Sequence, residues 1–439
     1  MGRGQVSKPL KVVLLGAGVV GSQVARIILN EGDTLEARIG RRLELVGIGV
    51  RRMDADRPGI DPSLLTTDLE SLVARDDLDI VIELIGGLEP ARGLVRTALE
   101  NGASVISANK ALLAEDLGEL SRLAEGKGVD LYYEAAVAGA IPIIRPLRES
   151  LVGDDITEVM GIVNGTTNFI LDKMVTDGVS FDSALAEAQE LGYAEADPTA
   201  DVEGHDAAAK AAILAGLAFH TEVTGSEVFC EGITGVTEAD IAAAESMDCT
   251  VKLLAVAKLT EDDRIIVKVH PAMVANKHPL AAVRGAYNAI FVNSREAGEL
   301  MFLGAGAGGS PTASAVMGDV VTVARNRRRG TAGHTGSGYT RRPVADIGES
   351  HAQFYVSFEV EDRPGVLAKC AALFGDHDVS LRVVQQAYLA DEQHEEGFPA
   401  RLGIMTHITQ ESALAAVVDE LRNADFVGSE VRVMRVEGF

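Results

Sequence analysis

An α/β fold in three units is predicted by three observations. A strand, a glycine turn and a helix open the chain from Leu10, and strands then alternate with helical stretches to about residue 150, as in a parallel sheet wound with helices. A second unit, expected to be α+β, opens at Gly153 with another strand. After a glycine- and arginine-rich stretch at 326–349, which reads as a linker, a βαββαβ succession fills 350–439. At 439 residues the chain is too long for one typical core.

Residues 10–15 (LKVVLL) form an unbroken apolar run, and Gly16-Ala17-Gly18-Val19-Val20-Gly21 leads from it into a helix, SQVARIILN. This is G-x-G-x-x-G in its required setting, the fingerprint of a Rossmann-type unit. The glycines permit a tight turn and close approach of a pyrophosphate, and the helix N-terminus offers free N–H groups to it. A dinucleotide site is expected there; the bland alternative is a glycine turn without cofactor. The second strand, 43–50, ends at Arg51-Arg52, where an NAD site would carry an acid. Two guanidinium groups suit a 2′-phosphate, so NADP(H) is expected to be preferred, with NAD(H) possible. A solvated strand end would look the same.

The third strand, 79–85 (DIVIELI), runs into Gly86-Gly87, expected beside the nicotinamide. The fourth, 103–107, ends in Ala108-Asn109-Lys110, which puts Lys110 where open α/β sheets bind ligands. A fifth strand is expected over 129–134. The second unit opens with a strand, ITEVMGIVN, and then Gly165-Thr166-Thr167-Asn168, which either orients a polar substrate or forms a turn with a helix cap at Asn168. A helical region, strands near 265–270 and 289–293, and a second glycine-rich loop holding Gly304, Gly306, Gly308 and Gly309 follow. Ser310-Pro311 reads as a cap and first helical residue. That loop either closes over the cofactor or is a hinge.

Residues 188–210, AQELGYAEADPTADVEGHDAAAK, carry the chemistry. Glu195, Asp197, Asp201, Glu203 and Asp206 lead into Lys210, and from His205 onward the composition is helical, so Asp206 and Lys210 fall one turn apart on one face. An exposed i,i+4 pair would mean little. Residues 207–219 are otherwise apolar, however, and a buried lysine needs partners or a task. An ammonium caged by carboxylates can give a proton to a carbonyl oxygen as hydride arrives.

The 40 basic residues are outnumbered by 65 acidic ones, a formal charge of -25 that opposes nucleic acid and anionic membranes. Cys230, Cys249 and Cys370 show neither a disulfide framework nor zinc spacing. Residues 1–9 lack the apolar core of a signal peptide, and no uncharged apolar run is long enough to span a bilayer. A soluble, cytoplasmic protein is expected.

Three features in order, the N-terminal fingerprint, Ser107-Ala108-Asn109-Lys110, and G-Y-x-E-x-D-P-x-x-D-x-x-G-x-D-x-x-x-K over 192–210, resemble homoserine dehydrogenase from Leu10 to about Arg325. The resemblance implies interconversion of L-aspartate 4-semialdehyde and L-homoserine with NAD(P)H, on the route to threonine, methionine and isoleucine. It implies that Lys210, which matches the proposed proton donor, or Lys110, which matches a lysine near both nicotinamide and substrate, moves the proton, and that Glu195, Asp206 and Asp201 hold the substrate. Gly192 and Gly308 would enclose the cofactor beside Gly86. Glu134, Val137, Gly139 and Ile141 would bind a monovalent cation such as Na+ through a carboxylate and carbonyls. Residues 151–308 would be the substrate and dimerisation domain of a homodimer or homotetramer, and 309–325 would rejoin residues 1–150. The last unit, with Asp362-Arg363-Pro364-Gly365, resembles an ACT domain, implying an amino-acid effector, L-threonine by this reading, or else a purely structural dimerisation module.

With no kinase-like stretch before Leu10, a single activity is expected. Two rivals stand beside it. An aspartate-semialdehyde dehydrogenase needs a cysteine nucleophile with a base, for which no cysteine here is set. A non-catalytic sensor of dinucleotide and amino acid has no use for the charge cluster.

Overall fold

The computed structural model describes residues 8–333, 340–388, 397–428 and 430–438. Parts of the predicted lead-in (1–7) and linker (334–339) lie outside the described residues.

A six-stranded parallel sheet comes first. Its strands β1 (Leu10–Leu15), β2 (Leu43–Gly49), β3 (Leu65–Thr66), β4 (Ile80–Glu83), β5 (Ser104–Ser107) and β6 (Leu131–Tyr132) lie in the order β3-β2-β1-β4-β5-β6. The order in which the parallel strands are laid down reverses between β1 and β4, which opens a crevice at their carboxyl ends. β1 and β4 are buried along almost their whole length, because helices cover both faces and leave no position for a polar alternation. The helix Gly309–Arg329 returns to this sheet and buries Ala313, Val316, Val320 and Val323 in one core with Leu10, Val12 and Leu14.

The second sheet has eleven strands: β7 (Ile156–Ile162), β8 (Phe229–Cys230), β9 (Cys249–Leu259), β10 (Ile265–Ala275), β11 (Tyr287–Ser294), β12 (Gly298–Ala305), β13 (His351–Val360), β14 (Leu381–Tyr388), β15 (Ala400–Thr406), β16 (Thr409–Gln410) and β17 (Arg432–Glu437). Its main path is β12-β11-β7-β9-β10-β17-β13-β15-β14. The last unit shows the six elements read from the sequence, with helices Val366–Asp376 and Glu411–Arg422. It does not stand apart, because β17 pairs in parallel with β10, Ala272 opposite Arg435 and Val274 opposite Glu437.

Several local expectations need correction. The region read as helical beyond residue 219 contains β8 and β9, and β9 (CTVKLLAVAKL) is an apolar run that a helix could equally have carried. The helix read as ending before the linker continues to Arg329 and stops at Gly330 in the left-handed conformation. Its N-cap is Gly308, not Ser310. The helix Gly165–Asp177 is capped by Asn164, whose side chain accepts the Thr167 N–H, rather than beginning at Asn168. Of the strand expected over 129–134 only Leu131–Tyr132 pairs, and Glu134 starts a short 3-10 turn.

Candidate active site

Gly16 has φ +99°, and a side chain there would strike the Leu84 carbonyl oxygen at 2.7 Å. A Cβ at Gly21 would lie 2.0 Å from the Gly16 oxygen, so the helix can sit against the turn only with glycine at that position. Gly18, the N-cap of Val19–Asn30, faces open space, with nothing within 4 Å of the position of a Cβ. The helix thus presents free N–H groups beside a cleared surface, which fits a dinucleotide pyrophosphate. Val19 and Val20 begin that helix, Ala17 packs on the sheet core, and Gly309 of the second glycine loop abuts Val19. Gly308 (φ +128°) therefore stands beside the first glycine turn. Arg51 and Arg52 are exposed just beyond the end of β2.

Lys210 lies on the helix His205–Ala218, which starts at Gly204 with φ +84°. Its ammonium donates to the Val163 carbonyl at 2.7 Å and to Asp206 Oδ2 at 2.7 Å, and only 8% of the residue is exposed. Lys110, the first residue of the helix Lys110–Lys127 after β5, reaches the other oxygen of Asp206. Asn164, at the end of β7, donates its amide to Asp206 Oδ2 at 2.8 Å and to Asp201 Oδ1 at 2.7 Å. One aspartate therefore joins an edge of the first sheet to the start of the second. Burial by itself would raise the Asp206 carboxyl, but the ammonium groups of Lys210 and Lys110 outweigh it and hold the group well below the ordinary carboxylate range. Burial pushes Asp201 upward, and the nearby Asp206 charge adds to that rise.

The acidic cluster is looser than its sequence density suggested. Glu195 is exposed and stands away from the lysines' hydrogen bonds, and Asp197 caps the turn at Thr199. Gly192 (φ +76°) ends the preceding helix in open space. The carboxylate of Glu134 is not free for a cation: Oε1 accepts N–H groups from Ile143 and Ile144, and Oε2 accepts that of Arg145. It caps the turn that follows, so any cation at Glu134, Val137, Gly139 and Ile141 would be left with main-chain oxygens. Among the described residues no cluster of three or more His, Cys, Asp or Glu side chains is placed to hold a metal ion.

Three contributors went unassigned in the sequence. Asn164 is one, and its setting, a strand end before a glycine, was the available signal. Glu83 and Ser107 are the others. Glu83, at the end of β4, is fully buried and accepts N–H groups from Ile85 and Gly86 at 2.9 and 3.1 Å and the Ser107 hydroxyl at 2.6 Å. The cysteines offer no nucleophile: burial pushes the Cys249 and Cys370 thiols up to about 11 and raises that of Cys230.

The sequence matches known proteins over up to 98% of its length. Residues 16–134 match the family model for the homoserine dehydrogenase NAD binding domain, and residues 142–321 match that for homoserine dehydrogenase. The homoserine dehydrogenase of Mycobacterium tuberculosis is 53% identical over 435 residues, 98% of each chain. That of Corynebacterium glutamicum is 50% identical over 430 residues, 97% of this chain and 95% of the other. The crystal structure of a homoserine dehydrogenase from Thiobacillus denitrificans superposes with a TM-score of 0.91 at 38% identity, covering 98% of this chain and 99% of that one. A hyperthermophilic archaeal homoserine dehydrogenase in complex with NADPH gives a TM-score of 0.60 at 28% identity over 72% of this chain and 98% of its own. A dinucleotide fingerprint at the crevice of the first sheet, a buried lysine at its edge and these relatives agree: the chain belongs to the homoserine dehydrogenase family of NAD(P)-dependent oxidoreductases.

Proposed function

We propose that the chain interconverts L-aspartate 4-semialdehyde and L-homoserine with NADP(H) as the preferred nucleotide, and that Lys210 transfers the proton. The observation that carries this reading is the buried pair of Lys210 and Asp206, joined from the carboxyl edge of the dinucleotide sheet by the more exposed Lys110. An ammonium has three N–H donors. Lys210 spends two, on Val163 and Asp206, and the third remains for a substrate oxygen. The bound reduced nucleotide supplies the hydride; Gly16, Gly18 and Gly21, with Gly86, Gly192 and Gly308, are the residues to hold it. As the carbonyl oxygen gains charge, Lys210 neutralises it with that third proton. Asp206 keeps both ammonium groups in place. Asp201, with Glu195 from the exposed rim, would take the substrate's amino end. Lys110, the more exposed lysine, would serve substrate and nicotinamide side together.

The finer parts of the proposal have separate supports. Arg51 and Arg52 favour a 2′-phosphate by their place beyond β2. A monovalent cation, Na+ in this proposal, would be held by the carbonyl oxygens of Glu134, Val137, Gly139 and Ile141, hard ligands on a turn where Ala138 and Gly139 both have positive φ. The βαββαβ unit after residue 350 would be an ACT domain binding L-threonine, its carboxylate taken by the N-terminus of Val366–Asp376, which Gly365 opens in the left-handed conformation. A cytoplasmic homodimer or homotetramer completes the reading. Among the described residues no helix is long and apolar enough to cross a membrane.

The test is the fall in NADPH absorbance on adding L-aspartate 4-semialdehyde, repeated with NADH, with Arg51→Ala and Arg52→Ala, and with Na+ replaced by K+. Absence of semialdehyde-dependent oxidation of either nucleotide would overturn the reading.

A further inference from the structure

We propose that Glu83 is a positioning residue for this reduction, fixing the Gly86-Gly87 turn and Lys110 to one another as a single rigid edge. The inference rests on the functional reading above but extends it to a residue with no contact to the lysines. Glu83 is the last residue of β4, where an apolar side chain would pack at no electrostatic cost. It is completely buried, and among the described residues no lysine or arginine pairs with it. A carboxylate in that place is tolerated only if its oxygens are otherwise engaged.

They are engaged by a closed ring. Glu83 Oε1 accepts the N–H groups of Ile85 and Gly86, and Oε2 accepts the Ser107 hydroxyl. Ser107 Oγ in turn accepts the Asn109 N–H at 3.0 Å, and the Asn109 amide donates to the Gly87 carbonyl at 2.6 Å. The ring thus returns to the turn where it began. Asn109 Oδ1 also accepts the Leu112 N–H and so caps the helix whose first residue is Lys110. Gly86 and Gly87 both have φ +74° with open space where side chains would be, so neighbouring atoms do little to hold that turn. The Glu83 carboxylate supplies the restraint, and through Ser107 and Asn109 the same restraint sets the root of Lys110, which reaches Asp206.

Loss of the ring frees the turn and the helix start to move separately, and a misplacement of about 1 Å near reacting groups costs on the order of 100-fold in rate. Glu83→Ala is expected to lower kcat by about 10- to 100-fold while the NADPH Kd, measured by fluorescence without substrate, stays within about threefold. Glu83→Gln keeps one accepting oxygen and should fall between. Ser107→Ala should lower kcat by about tenfold, and adding it to Glu83→Ala should cost little more, because both break one ring. Hydrogen exchange at the Gly86 and Asn109 amides should quicken in each variant, a readout independent of turnover. Folded Glu83→Gln and Ser107→Ala proteins with kcat within twofold of the parent and unchanged exchange at those amides would overturn the proposal; these two variants decide it if Glu83→Ala does not fold. A parent chain that binds NADPH but reduces no semialdehyde would instead sink the functional reading, and the exchange data would still report whether the ring holds.

Discussion

Asp206 receives hydrogen bonds from three elements: Lys210 on its own helix, Lys110 after β5 and Asn164 at the end of β7. Two cations on one carboxylate make it the pivot of the site. Asp206→Asn keeps the shape and removes the charge that both ammonium groups pair with; breaking the buried pair with Lys210 costs about 3–5 kcal/mol. The expected result is a drop in kcat of at least about 100-fold with NADPH binding little changed, read by steady-state rates and a nucleotide titration. Lys210→Ala should lose most turnover and likewise still bind NADPH, since its neighbours are Val163 and Asp206 rather than the glycine turn. Near-normal turnover in that variant would remove Lys210 from the chemistry. At this scale the sequence was readable where spacing along one helix sufficed, as for Asp206 and Lys210. It was not readable for Asn164 or Glu83, whose roles depend on residues 37 to 42 and 24 positions away. Glu195 is the converse case: four acids in a short loop look like one cluster, but this carboxylate is exposed and apart from the lysines' hydrogen bonds.

The helix Gly165–Asp177 is tied to the second sheet by a buried lysine outside the proposed chemistry. Lys252 of β9 donates to the Val283 carbonyl at 2.6 Å and to Asn168 Oδ1 at 3.0 Å, while the Asn168 amide reaches the carbonyls of Gly285 and Tyr287. Burial pulls the Lys252 ammonium down from 10.5 to about 8. Below about pH 8 it is charged both folded and unfolded, and its full desolvation cost falls on the folded state. Between about 8 and 10.5 the unfolded chain holds a proton the folded chain has lost, so this residue's contribution to stability rises with pH across that window. Compared with Lys252→Met, the parent should gain stability in urea unfolding on moving from about pH 7.5 to about pH 10, and a flat difference would mean the lysine is not desolvated. β9 itself was hidden in the sequence, since its side chains are buried on both faces and no alternation marks it as a strand. The parallel strands of the first sheet share that unbroken apolar pattern but are punctuated by glycine turns, and they were legible for that reason.

In the molecule as a whole, the last unit is joined to the sheet behind the proposed site through β17, a pairing across more than 150 residues that no local pattern encodes. Arg435 stands at the seam. The residue is 9% exposed, and its guanidinium bonds Glu411 at the start of the helix Glu411–Arg422, bonds Glu231 at 2.8 Å and lies 4.9 Å from the ring centroid of Phe229. Glu231 directly follows Cys230, whose thiol donates to the Glu203 carbonyl and lies where a Cβ on Gly204 would meet it at 2.9 Å. Gly204 starts the helix that carries Asp206 and Lys210. A shift of Glu411–Arg422 on amino-acid binding would therefore pull on a continuous set of contacts ending at that helix. Arg435→Ala tests it. Basal turnover should stay within about threefold of the parent, since the residue touches none of the proposed machinery, while inhibition by millimolar L-threonine should weaken by about 5-fold or more, the loss of about 1 kcal/mol of coupling. Equal inhibition in parent and variant would rule out this seam as the route. A parent indifferent to threonine, in both rate and thermal midpoint, would remove the regulatory role and leave β17 and Arg435 as structural joinery.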